Sequence, residues 1–454
     1  MKAYTNYSST EIPWVNQLPS HWGQIRNGGI FDYHQIKVGK DYREFDLLSL
    51  TTQGIRCKSI LDAKGKVPAS YEGYQVVNPG DMVFCLFDLD CSAVFSGLSK
   101  YKGMITSAYD VMKPREYIVN PQYLDYWFQS VFSGRYYKIY AKSVRYTINY
   151  DIFKALKTPV PPRAEQDQIV RFLDWKVSQI DRLIAGYQKE IELLKERRVT
   201  IIDRAVTKGI DPEVDYMTPK AEWMGAVPAQ WKSCRMKNIF TEINIRSIDG
   251  SEPHLSMSQK KGLITDEEMK ERRLLSENYI GGKVCEKDDL VLNRLKAHLG
   301  VFALAPQKGV VSPDYTVLRL KQDMVIPKYA EYLLKSNACR KELRIRVRGI
   351  VEGFWRLYTE DLGAIPVCLP DLPEQAEILN YISFHEKRID AAIEGIDHQI
   401  SLLREYRTRL ICDAVTGQID VRDVVIPEGA AAGDAPVFCN GTDEGEVGMD
   451  ADEY

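Results

Sequence analysis

The chain has 454 residues, 44% hydrophobic and 27% charged, a balance expected of a soluble globular protein with room for two or three cores. Its nine cysteines are scattered, with no Cys-x-x-Cys pair, and its six histidines are dispersed. That excludes a disulfide framework and a zinc site as leading readings and points to a reducing, cytoplasmic compartment. The formal charge of −3 is an average over unlike segments. Residues 1–162 are net +5 and 216–370 net +6, whereas 163–215 are −1 and 371–423 are −5. Residues 424–454 hold eight acidic and no basic side chains. Two basic blocks are the electrostatic footprint of a polyanion partner. No apolar run approaches the roughly 18 residues of a membrane span, and the first residues lack the apolar core of a signal peptide.

In chain order, the first feature is Ile12-Pro13-Trp14 followed by Leu18-Pro19-x-x-Trp22. Block one then reads as mixed α/β. Met82-Val83-Phe84-Cys85-Leu86-Phe87 is a predicted strand after the turn-like Asn78-Pro79-Gly80-Asp81. Asn120-Pro121-Gln122-Tyr123 is read as a helix start with proline in the first position. A basic and aromatic stretch follows: Arg135, Tyr136, Tyr137, Lys138, Tyr140, Lys142, Arg145 and Tyr146. The proline-rich stop Thr158-Pro159-Val160-Pro161-Pro162 precedes a long predicted helix. Its apolar residues Ile180, Ile184, Tyr187, Ile191, Leu194, Ile201 and Ala205 keep a 4-3 spacing that ends near Gly209. That spacing is a coiled-coil seam, and Arg198 is its one charged member.

The whole order then recurs 209 residues later. Trp14, Pro19 and Trp22 return as Trp223, Pro228 and Trp231, and Glu165, Gln166 and Ile169 as Glu374, Gln375 and Ile378. Ala205-Val206-Thr207 returns as Ala414-Val415-Thr416. The second seam is Ile389, Ile393, Ile396, Ile400, Leu403, Leu410 and Ala414, with Arg407 as its charged member and Gly417 past its end. Inside block two, Leu290-Val291-Leu292 is a predicted strand. The candidate cations are Arg340, Lys341, Arg344, Arg346 and Arg348, then Trp355 and Arg356, with Arg272-Arg273 and Arg294-Lys296 as secondary candidates. Pro121-x-Tyr123-x-x-Tyr126 answers Pro327-x-Tyr329-x-x-Tyr332 at an offset of 206, so the blocks have drifted while the framework has kept its length. Each helix can pair with its own copy, antiparallel, and the tryptophan motifs are expected to pack each block onto the helices. Residues 424–454 are expected to be disordered.

Several chemistries lack their motifs. There is no phosphate-binding Gly-x-x-x-x-Gly-Lys-Ser/Thr loop, no Gly-x-Gly-x-x-Gly, no His-Glu-x-x-His and no Gly-x-Ser-x-Gly elbow. The reading is therefore a binding protein. Arginine and lysine supply phosphate contacts and guanine readout, and the first-line DNA candidates are Arg135, Lys138, Lys142, Arg145, Tyr146, Arg344, Arg346, Arg348 and Arg356.

The motif Ile12-Pro13-Trp14 … Leu18-Pro19-x-x-Trp22, then Pro161-Pro162-x-x-Glu165-Gln166-x-x-Ile169, then a long heptad helix and the whole repeated, resembles the specificity subunit of type I restriction–modification systems. The likeness covers residues 11 to about 423; the second copy, Pro370-Asp371-Leu372-Pro373-Glu374-Gln375, keeps only the flanking prolines. It implies target-recognition domains at 1–162 and 211–371, spacer helices at 163–210 and 372–423, and an acidic tail at 424–454 outside the pattern. The implied fold is mixed α/β (α+β), two globular domains separated by paired antiparallel coiled-coil helices in a pseudo-two-fold repeat. The implied function is non-catalytic reading of a bipartite asymmetric site on double-stranded DNA, with two methyltransferase subunits and motor-nuclease subunits as partners. S-adenosylmethionine, ATP and magnesium would belong to those partners. A coiled-coil assembly scaffold that does not read DNA remains the alternative.

Overall fold

The computed structural model describes residues 2–52, 54–58, 70–141, 146–258, 262–265, 268, 279–349 and 355–427. The candidates Lys142, Arg145, Arg272 and Arg273, and the tail from 428 onward, lie outside them. The chain forms two compact units, Met1–Gln188 with Asp397–Tyr454, and Lys189–Ile396. The divide falls inside each of the two long helices, Arg163–Lys208 and Leu372–Val415. Each unit thus contains one block, part of its own helix and part of the other copy's helix.

The helices begin and end where local chemistry dictates. Prolines before each start cannot extend a helix backwards, and Glu165 and Glu374 place negative charge in the first turns. Gly209 and Gly417 follow the last turns at φ of +73° and +67°, the left-handed conformation that terminates helices. A Cβ on Gly417 would lie 2.3 Å from Pro19 Cδ, so this glycine also permits close approach of the N-terminal segment.

The seam is as the spacing predicts. Ile180, Ile184, Ile191, Ile389 and Ile400 are buried, and Leu194, Ile393 and Leu403 are half-buried. Leu193 and Leu402, one residue off the seam, are exposed. The pairing is antiparallel in each unit. In the first, Arg407 Nε donates to Asp181 Oδ1 at 3.0 Å, while Gln168, earlier in the helix, donates to the carbonyls of Val421 and Val424. In the second, Arg198 pairs with Asp390, and Gly209 approaches Glu374. Asp181 and Arg198 become Asp390 and Arg407 one period on, so the two ion pairs are the same pair with the helices exchanged. Partly exposed pairs of this kind stabilise by under about 1 kcal/mol each; their use is to fix register, since any slip strands an arginine in an apolar seam.

The repeated motifs dock each block onto the helices. Trp22 Nε1 donates to Glu165 Oε1 at 2.9 Å, and Trp231 Nε1 to Glu374 Oε1 at 2.8 Å. Gln166 accepts from the Asn120 amide and donates to the Ile118 and Pro161 carbonyls; Gln375 accepts from the Ile326 amide and donates to the Met324 and Pro370 carbonyls. Each glutamine therefore ties the proline stop to the loop before the block's main helix, Pro121–Ser133 or Pro327–Lys335. Those helices start at Pro121 and Pro327, as the sequence predicts. Their paired tyrosines clamp both long helices. Tyr123 donates to the Val415 carbonyl and Tyr126 to Asp174; Tyr329 donates to the Val206 carbonyl and Tyr332 to Glu386. The first tryptophan of each motif is placed differently from the second. Trp14 and Trp223 make no hydrogen bond to a helix glutamate: Trp14 stacks on Tyr136 within the block, and Trp223 donates to the Pro366 carbonyl while packing against the core that holds Ala205, Val206 and Ile378.

In the first unit, one four-stranded sheet has the order Gly54–Lys58, Leu47–Thr51, Gly103–Ile105, Gln75–Val77. A second has the order Phe31–Tyr33, Asp110–Pro114, Met82–Phe84, Ser96–Leu98. Within the expected 82–87 run the strand is Met82–Phe84, and the Cys85 amide adds one more bond in the same register, to the Phe95 carbonyl. The second unit repeats the latter sheet as Phe240–Ile243, Tyr315–Leu320, Leu290–Asn293, Phe302–Leu304. Its counterpart of the former is split into two antiparallel pairs, Leu255–Ser258 with Gly262–Thr265 and Lys283–Cys285 with Gly309–Val311. A core of Phe31, Phe84, Phe128, Tyr137 and Phe153 fills the first block, and Leu290, Phe302, Leu318, Tyr329 and Leu333 the second.

Candidate nucleic-acid interface

Three pieces meet in each block. The first is the turn between two paired strands, 85–95 in block one and 294–301 in block two. The second is the basic stretch after the main helix: a short helical turn Tyr136–Tyr140 in one, the helix Asn337–Arg346 in the other. The third is the segment before the next short helix, carrying Tyr146 and Arg356. The same backbone bond joins turn to segment in both: Ile148 donates to the Leu86 carbonyl at 2.9 Å, and Leu357 to the Arg294 carbonyl at 3.1 Å.

An arginine lies over each turn. Arg135, at φ +50°, donates through Nη1 to the carbonyls of Ser92 and Leu89, with its guanidinium 4.2 Å from the Phe132 ring. Arg340 lies over Gly300, where an added Cβ would stand 2.9 Å from Arg340 Cδ. Arg135 holds its turn by hydrogen bonds and has little capacity left for a ligand, whereas Arg340 packs against Gly300. The other candidates sort by what they touch. Lys138 Nζ lies 4.5 Å from the ring of Tyr146, which is partly exposed. Arg346 pairs with Glu342 at 2.7 Å, and Arg348 with Asp361. Arg348 and Arg356 exchange two backbone hydrogen bonds, which places them side by side. Arg344 and Arg356 are exposed, as are Lys341 and Lys296, and among the described residues none of the four forms an ion pair. Arg294 Nε donates to the Asp314 carbonyl.

Block two thus gathers free cations from three separated stretches. The sequence shows each stretch but not that Lys296 joins Arg344 and Arg356. In block one the equivalent turn carries Asp88 and Asp90 instead, which a search for basic residues passes over. Of the described residues, no cluster of His, Cys, Asp or Glu could hold a metal ion, and no helix is long and apolar enough to cross a membrane.

A cleft of about 650 Å³ in the first unit is lined by Arg56, Asp125, Gln129, Asp181, Arg404 and Arg407. Asp125 accepts from Gln129 at 3.0 Å, and burial pushes its carboxyl up to about 6. Its counterpart Glu331 is buried too, but Lys335 and Lys328, each at 2.8 Å, outweigh the burial and hold its carboxyl below the usual range. A pKa raised from about 4 unfolded to about 6 folded favours the fold at low pH and loses that contribution as pH rises through 6. Asp125→Asn is therefore expected to stabilise the protein by about 1–2 kcal/mol at pH 7.5 and to be neutral at pH 4. The calorimetric transition of the first unit, followed at the two pH values, checks this; equal shifts at both would show that Asp125 is charged at no cost.

Residues 228–401 match the model of the type I restriction modification DNA specificity domain. A protein of Methanocaldococcus jannaschii named as a type I restriction enzyme MjaX specificity subunit is 25% identical, over 92% of this chain and 97% of its own. The MjaVIII specificity subunit of the same organism is 23% identical, over 77% of this chain and 81% of its own. A solved chain of the type I R-M system shares the fold with a TM-score of 0.56 at 15% identity, covering 88% of this chain and 99% of that one. Together with the duplicated Pro-x-x-x-Glu-Gln helix starts and the paired helices, these likenesses support a type I restriction–modification specificity subunit.

Proposed function

We propose that the chain is the DNA-reading, non-catalytic subunit of a type I restriction–modification complex, each block reading one half of a bipartite asymmetric site. The observation that carries this is the three-piece surface, built alike in both blocks yet armed with different charged side chains. A scaffold serving one repeated partner would have no need of that difference. In this reading the paired helices set the gap between half-sites, and rigid linkage makes the second contact intramolecular. Two methyltransferase subunits and motor-nuclease subunits supply the chemistry, with S-adenosylmethionine, ATP and magnesium bound by them in the cytoplasm.

The test is DNA binding by the complex reconstituted with its methyltransferase subunits, measured across a salt series. Each phosphate contact contributes a slope of about −0.9 in log K against log salt. Arg344→Ala and Arg356→Ala are each expected to reduce the slope by about one contact. Binding that ignores DNA sequence in the full complex would instead favour the assembly-scaffold reading.

A further inference from the structure

We infer that the turn beneath Arg135 in block one and beneath Arg340 in block two selects a base in each half-site, and that the two half-sites present opposite hydrogen-bonding character there. The inference rests on the proposed DNA reading and adds to it the residues that discriminate.

The two turns are structural equivalents. Each joins a strand to its antiparallel neighbour, 82–84 to 96–98 and 290–293 to 302–304. Each lies beneath an arginine from the stretch after the main helix. Each is tied to the third piece of the surface through the matching bond from Ile148 or Leu357. Both are tightly built. Asp88 takes φ +52° and its carbonyl accepts from the amides of Cys91 and Ser92; Gly300 takes φ +77° and closes the turn at Ala297–Leu299. A turn held this firmly presents its side chains with little ordering cost, as base readout requires.

What they present is opposite. Block two carries exposed Lys296, a donor only, beside a half-buried Arg294 that Asp314 engages. Block one carries half-buried Asp88 and exposed Asp90, acceptors only when ionised, and among the described residues neither forms an ion pair. In the major groove, lysine or arginine matches the O6 and N7 acceptors of guanine, whereas a carboxylate matches the amino group of cytosine. Beside phosphates a carboxylate is repelled, so Asp90 can be tolerated on a DNA surface only where it meets a base donor; Lys138, near Tyr146 on the same surface, supplies the compensating charge. The equivalent turn in block two is free to use cations for both purposes.

The experiment is genome-wide methylation mapping by the full chain co-expressed with its methyltransferase subunits. Lys296 and Asp90 are exposed, so their replacement leaves the fold intact. Lys296→Ala is expected to relax one guanine position in one half-site by about tenfold or more, leaving the other half-site unchanged. Asp90→Asn should relax one position in the opposite half-site, and Asp90→Lys should shift that position toward guanine. Unchanged motifs with uniformly weaker methylation would overturn the inference while leaving the DNA reading intact, since the turns would then touch only phosphates. A wild-type complex that methylates without any fixed motif would overturn the DNA reading and the inference together.

Discussion

Inserting one heptad into each long helix, after Leu194 and after Leu403, is expected to lengthen the preferred spacer by about three base pairs without changing either half-site. Seven residues add about 10 Å of helix and return every side chain to its face. The pairing survives because the insertions match. Asp181 and Arg198 are separated by the same number of residues as Asp390 and Arg407, and each interval receives one insertion. Both cross-helix ion pairs can therefore form again. A four-residue insertion is the control. It swings Arg198 and Arg407 off their aspartates, rotates Ile201 off the face of the buried Ile184 and Ile191, and rotates Leu410 off the face of the buried Ile389 and Ile400, so loss of methylation is expected. Methylation mapping reads both. A heptad variant that altered the half-site bases and left the spacer fixed would refute the division between ruler and readers.

The second large effect concerns the glutamate at each helix start. Glu165 is buried and accepts from Trp22 at 2.9 Å, Tyr4 at 2.5 Å and His21 at 2.8 Å. Burial and the hydrogen bond to Glu165 push the Tyr4 hydroxyl far above its ordinary range, so it remains a donor at any relevant pH. Glu165→Ala would strand buried donors at about 1–3 kcal/mol each, an expected loss of about 3 kcal/mol or more. Glu374 is half-buried, and its side chain accepts from Trp231 alone among the described residues, so Glu374→Ala should cost about 1–2 kcal/mol. Glu165→Gln keeps an acceptor for the indole and should lie between wild type and alanine. Hydrogen exchange of amides within each compact unit distinguishes these losses, because a two-unit chain does not unfold in one step. Equal losses at the two glutamates would mean that the extra partners of Glu165 contribute nothing.

These contacts explain which parts of the molecule the sequence makes legible. The Pro-x-x-x-Glu-Gln element stands out because each named residue in it has one structural task that recurs: proline ends the strand, glutamate receives a tryptophan, glutamine ties down a loop. The seam is legible because a 4-3 spacing admits one geometry, and its arginines are legible as exceptions to it. The reading surface is less so. Arg135 and Tyr137 look like neighbours of Lys138 in sequence, but one is taken up by turn carbonyls and the other is buried against Asn27. Arg346 and Arg348 read as cations yet are paired with Glu342 and Asp361.

The sequence by itself determined the duplicated framework, the two long helices and their seam, and the basic character of both blocks, since these depend on periodicity and composition. The tertiary structure decided which cations are free and what stands beside them. Lys296 and Arg356 are distant in sequence, and the Leu357–Arg294 backbone bond brings their stretches together. Whether a charge is free depends on neighbours supplied by distant segments, and no local pattern along the chain encodes that.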